Sequence, residues 1–195
     1  ALSAANKWIE RLKNYGHDYE CGVGVFNSIV THKQDLTNND YYLKYAINTI
    51  IPGGGTDFNQ AYLGFNGAIN NLKNAGYNKV LVFLTDGFSN VDFTKVIKQA
   101  NKHNITIYNI VIGNPVPGTL YDISKSTGGL SFGNVKSELE AVDIYNKIFE
   151  RARRPVSYCK LKWNSDNLCG QTRITYKGEE LSLNYSPDAR LIRPY

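Results

Sequence analysis

At 195 residues, with 42% hydrophobic and 12% aromatic side chains, the chain can hold one ordinary domain and a small appendix, and wholesale disorder is excluded. No stretch approaches the roughly 18 uninterrupted apolar residues of a membrane-spanning helix, so none is expected. The net charge of +5 is uneven: residues 151–195 carry 9 Lys/Arg against 4 Asp/Glu, while residues 1–150 hold 13 of each.

Residues 1–150 alternate two periods. Leu2, Ala5, Trp8/Ile9 and Leu12 recur at helical spacing, and C-G-V-G-V-F over 21–26 then reads as a strand, followed by Ile29-Val30-Thr31. Leu43, Ala46/Ile47 and Ile50 return to the helical repeat until Pro52 and three glycines stop it. Residues 57–75 predict one strong helix, with Phe58, Ala61/Tyr62, Phe65, Ala68/Ile69 and Leu72 in a single stripe and Gly76 as its end.

K-V-L-V-F-L-T over 79–85 is apolar on both faces, as a parallel strand covered by helices on each side must be. A helix with Phe93, Val96/Ile97 and Ala100 follows, then a second buried strand, I-T-I-Y-N-I-V-I, over 105–112. Leu120 and Ile123 mark a short helix, Leu130-Ser131-Phe132 a short strand, and Leu139, Val142, Tyr145, Ile148 and Phe149 a long last helix. This alternation predicts an α/β fold with a doubly wound, Rossmann-like, mostly parallel sheet. R-A-R-R-P at 151–155 ends the rhythm, and short strands without helices follow. The expected organisation is a domain over 1–153 and a small all-β module over 154–195.

Ligands of open parallel sheets bind where the strands end. Two loops of unusual composition fall there: L-T-D-G-F-S-N over 84–90, leaving the buried strand, and G-G-G-T-D over 53–57, opening the strong helix. Thr56 offers a hydroxyl and Asp86 a carboxylate, both hard oxygen donors of the kind a small divalent cation takes. Each loop alone is an ordinary turn or helix cap. Their combination is the informative feature.

The cysteines number three, with no C-x-x-C and no Cys/His cluster, so zinc is not expected. Cys159 and Cys169 are spaced to bridge a short loop, and Cys21 stands alone. With two N-x-S/T sequons, at Asn104 and Asn184, they favour an oxidising, extracytoplasmic setting.

In order along the chain, helix 2–12, V-G-V-F at 23–26, G-G-G-T-D-F-N-Q-A-Y at 53–62, V-L-V-F-L-T-D-G at 80–87, I-T-I-Y-N-I-V-I-G at 105–113 and L-Y-D-I-S-K-S-T-G-G at 120–129 resemble the von Willebrand factor type A domain family. The resemblance implies a metal-ion-dependent adhesion site built from three loops. Thr56 matches the threonine of the second loop and would contact the metal directly; Asp86 matches the aspartate of the third and would act through water. Asp57 and Ser89 would support them from behind. The family's first loop, Asp-x-Ser-x-Ser, and the central strand before it are not found in this sequence. The expectation is therefore that Mg²⁺, or Ca²⁺ or Mn²⁺, is held only when another segment or chain supplies that strand, between the strands at 21–27 and 79–85.

The implied function is an extracellular, secreted or cell-surface, adhesion or protein-interaction domain that takes an acidic group of a protein or glycoprotein partner. A metal-independent structural module of a surface filament or matrix protein is the alternative. Catalysis is not expected: His17, His32 and His103 avoid both loops, and the triple glycine does not satisfy G-x-x-x-x-G-K-[ST]. Nucleic acid is not expected either. Arg151, Arg153, Arg154, Tyr158, Lys160, Lys162 and Trp163 interleave cations and aromatics, but a helix C-terminus followed by a two-faced strand accounts for the pattern.

Overall fold

The computed structural model describes residues 2–16, 19–51, 53–76, 78–152, 170–176 and 179–185, the last two by backbone alone. The chain divides into two units, residues 1–155 and 156–195.

In the first unit, helix α1 (Leu2–Tyr15) precedes an antiparallel hairpin of β1 (Cys21–Phe26) and β2 (Val30–Thr37). Helix α2 (Asp40–Asn48) starts where the Asn39 side chain accepts the Tyr41 N–H at 3.0 Å, satisfying one of the helix's orphan donors. Then come α3 (Phe58–Leu63), α4 (Ala68–Leu72), β3 (Lys79–Thr85), α5 (Phe93–Lys102), β4 (Ile105–Ile112), α6 (Gly118–Ser126), β5 (Ser131–Val135) and α7 (Glu138–Ala152).

Strands β3, β4 and β5 form a parallel sheet, with Lys79 opposite Ile105 and Thr85 opposite Val111. Because side chains alternate across a strand, β4 feeds two cores. Ile105, Ile107 and Val111 join Phe58, Tyr62, Val96, Leu120 and Ile123 on one face. Tyr108 and Ile110 join Ala4, Val135, Tyr145 and Ile148, from α1, β5 and α7, on the other. Helices thus cover both faces. At the centre of the first core, Phe83 stacks on Tyr62 (centroids 4.4 Å apart) and on Phe26 (4.8 Å), with Phe58 edge-on at 5.2 Å.

The two sheets are not joined by a backbone ladder: β1 pairs with β2 only, and β3 with β4 only, among the described residues. What bridges them is side-chain packing. Trp8 and Ala5 of α1 pack against both the cluster that Val80 and Val82 of β3 join and the cluster that Cys21 and Val23 of β1 join, while Phe26 and Phe83 meet on the opposite face. All of β3 between Lys79 and Thr85 is apolar, the composition of a central strand, yet it hydrogen-bonds along one edge.

The single helix expected over 57–75 is two short helices. Gly64 ends α3 and Gly67 opens α4, and the backbone turns between them so tightly that a Cβ on Gly67 would stand 2.7 Å from the Gly64 nitrogen. Phe65, counted in the apolar stripe, is consequently 92% exposed. Strand β2 runs to Thr37, well beyond the expected Thr31. In the second unit, β6 (Gly170–Tyr176) and β7 (Glu179–Tyr185) pair as an antiparallel hairpin. Cys159, Cys169 and the bridge expected between them lie outside the described residues. No described helix is long and apolar enough to cross a membrane.

Candidate metal-binding edge

Three loops meet at the carboxyl end of β3. The first follows β1: Asn27 turns the chain by accepting the Ile29 N–H on its own Oδ1 at 2.9 Å, and its carbonyl accepts the Asp57 N–H at 2.9 Å. That bond docks the second loop, residues 53–57, on the first. Glycine is required at 54, where φ is +92° and a Cβ would stand 2.8 Å from the Asn27 amide nitrogen; a Cβ on Gly55 would stand 2.7 Å from Ser28 Oγ.

Asp57 closes the loop as the cap of α3, its Oδ1 accepting the Gln60 N–H at 3.0 Å. The third loop leaves β3 through Thr85, whose buried Oγ1 accepts the Gly87 N–H at 3.1 Å and so fixes the turn that presents Asp86. Gly87 lies directly against Thr56: a Cβ there would approach Thr56 Oγ1 to 2.9 Å. Ser89 Oγ accepts the Phe58 N–H at 3.4 Å, tying the third loop to the start of α3.

Thr56, Asp57, Asp86 and Ser89, expected to act together, are therefore brought to one edge. Their circumstances differ. The Asp57 carboxylate is engaged as a helix cap, and Ser89 bonds to the α3 backbone and to the Asn90 carbonyl. Among the described residues, neither the Thr56 hydroxyl nor the Asp86 carboxylate has a hydrogen-bond or ion-pair partner; Thr56 is half-buried and Asp86 exposed.

The donor chemistry suits a hard divalent cation, with two neutral or anionic oxygens free to point outward. It also fills only part of a shell that takes about six oxygens. No group of three or more His, Cys, Asp or Glu able to hold a metal occurs among the described residues.

The sequence reading missed the amides that lock these loops. Asn114 Nδ2 donates to the Asp86 carbonyl at 3.0 Å, and Asn59 accepts the Asp92 N–H on Oδ1 at 2.9 Å. With Asn27 they hold the three loops and the turn after β4 in register. The chain has 22 asparagines. Single amides in loops carry no periodicity that would have marked these three.

A parallel sheet sandwiched by helices, with oxygen-bearing loops gathered where its strands end, defines a doubly wound α/β domain. The chain belongs to the von Willebrand factor type A domain family, whose model matches residues 1–147. Among solved structures, a von Willebrand factor type A protein from Catenulispora acidiphila is similar with a TM-score of 0.62 at 16% identity, over 77% of this chain and 38% of that one. The SpRpn10 VWA domain gives 0.59 at 17% identity, over 74% and 80%. Proximal thread matrix protein 1 from the mussel byssus gives 0.52 at 17% identity, over 77% and 39%. Identities this low show the fold alone. No curated protein matches the sequence significantly.

Proposed function

We propose that the first unit is an extracellular adhesion or protein-interaction domain whose contact edge is the loop cluster 27–29, 53–57 and 85–90. It would take an acidic group of a protein or glycoprotein partner through a divalent cation. The observation that carries this reading is the pair of unpartnered hard oxygens, Thr56 Oγ1 and the Asp86 carboxylate, held near each other by loops that Asp57 and Thr85 brace from within.

A cation held there would supply a Lewis-acidic centre with an open position for a partner carboxylate. The chain's own part is to present two oxygens, to keep Asp57 as a cap, and to brace the loops through Asn27, Asn59 and Asn114. The remaining donors would come from water and from one further loop.

The seam between β1 and β3 supports a source for that loop. Among the described residues β3 pairs along one edge only, which leaves its other edge free to pair with a strand supplied from elsewhere. Such a strand, from another segment or another chain, would end beside Thr56 and Asp86. In the alternative reading the domain is a metal-independent structural module of a surface or matrix assembly, which the incomplete donor set among the described residues favours.

Asp86→Ala separates the two. Adhesion of beads coated with the protein as its own cells produce it, with any segment or chain that completes the sheet, to an immobilised matrix-glycoprotein layer should fall to background in the variant, and with chelator in the wild type, while thermal stability is unchanged. Adhesion indifferent to both supports the structural module.

A further inference from the structure

The sequon Asn104-Ile105-Thr106 lies apart from the candidate contact loops, at the start of β4. We propose that Asn104 is an N-linked glycosylation site, an inference that rests on the extracellular reading above. The backbone explains an asparagine at this position: residue 104 follows the end of α5 with φ +55°, a conformation that Asn tolerates better than most residues. It does not explain Thr106, whose hydroxyl makes no hydrogen bond among the described residues and sits half-buried on a strand that is otherwise apolar apart from Asn109. A valine would serve the strand equally well. A hydroxyl two residues after an asparagine is what the glycosyl-transfer signature requires.

The structure places the acceptor suitably. Asn104 is exposed on a turn, and its side-chain amide has no partner among the described residues. Ile105 pairs with Lys79, the first residue of β3, whereas Asp86 follows its last. A strand of this length separates the two ends by about 20 Å. A glycan on Asn104 therefore leaves from the edge of the sheet opposite the candidate contact loops and leaves them open. Asn184, in the other sequon, is a ladder residue of β7 opposite Gln171.

The donor class is a lipid-linked oligosaccharide. The Asn104 side-chain nitrogen attacks C1 of the reducing-end sugar, the N–C1 bond forms and the C1–oxygen bond to diphosphate breaks. The lipid diphosphate leaves, and the amide proton passes to a base of the transferase.

The test is peptide mapping by mass spectrometry of the full chain from eukaryotic cells that produce it, before and after enzymatic deglycosylation. Aspartate in place of Asn104 after that treatment is expected. Asn104→Gln and Thr106→Val should each abolish the modification, and Thr106→Ser should retain it. Secreted protein with Asn104 unmodified overturns this inference and leaves the extracellular reading standing. Protein confined to the cytosol with Asn104 unmodified overturns both.

Discussion

Tyr62 and Asn109 are both fully buried, and the Tyr62 hydroxyl donates to Asn109 Oδ1 at 2.7 Å. Asn109 in turn donates through Nδ2 to the Leu120 carbonyl at 2.6 Å. One contact thus links α3, the helix that Asp57 caps at the candidate site, to β4 and α6. Replacing Tyr62 by Phe keeps the ring against Phe83 and deletes only the hydroxyl, so no cavity of consequence forms. What remains is a buried amide oxygen with no donor.

Leaving such a group unsatisfied costs about 1–3 kcal/mol. At roughly 2–4 °C per kcal/mol for a chain of this size, a central value of about 2 kcal/mol lowers the melting temperature by about 4–8 °C. The control is Tyr41→Phe: Tyr41 is 68% exposed, and surface changes of this kind stay within about 0.5 kcal/mol. Thermal unfolding of the three proteins by circular dichroism measures the difference. A Tyr62→Phe shift no larger than that of Tyr41→Phe would refute the argument that this hydrogen bond is buried and unreplaced.

Asp57→Ala should lose about 1 kcal/mol by removing the α3 cap, and Asp57→Asn, which keeps the acceptor, should lose little of it; chemical denaturation reads both. Burial pushes the Tyr145 phenol from 10.0 up to about 12, with Cys21 a lesser cause, and burial also raises Tyr62. Both are held protonated in the folded state. The Tyr145 contribution, about 2–3 kcal/mol, is therefore fully present below pH 10 and is lost as pH climbs through about 12, with Tyr62 acting in the same direction; a stability profile flat across that window would contradict it. The spacing of Cys159 and Cys169 predicts a disulfide whose ten-residue loop is worth about 2–3 kcal/mol to the second unit, and two freely alkylated thiols in native protein would exclude it.

The parts of the fold legible in the sequence were those where one physical demand dominates. Strands β3 and β4 could be read because burial on both faces forces unbroken apolar runs. The break between α3 and α4 could not, because Gly64 and Gly67 sit within a stripe that a continuous helix would also produce. Only the close backbone approach at Gly67 shows why the chain turns there. The length of β2 was hidden for a different reason. His32 and Gln34 alternate half-buried with exposed Lys33 and Asp35, a two-residue period carried by polar side chains. That the loops of Thr56 and Asp86 lie together was legible because glycines and a helix start frame them. Asn27, Asn59 and Asn114 became visible only through the backbone groups they bind.

If Thr56 and Asp86 form one cation-facing edge, titrating the 195-residue chain with Mn²⁺ locates it through paramagnetic broadening of the backbone amide NMR signals. Without the strand and loop that complete the oxygen shell the cation is not held firmly, and only weak association, on the order of millimolar, is expected of the chain alone. Broadening should centre on residues 54–57 and 86–89 and vanish in Thr56→Ala/Asp86→Ala. Sharp signals at those loops while others broaden, or equal broadening in the double variant, would contradict it.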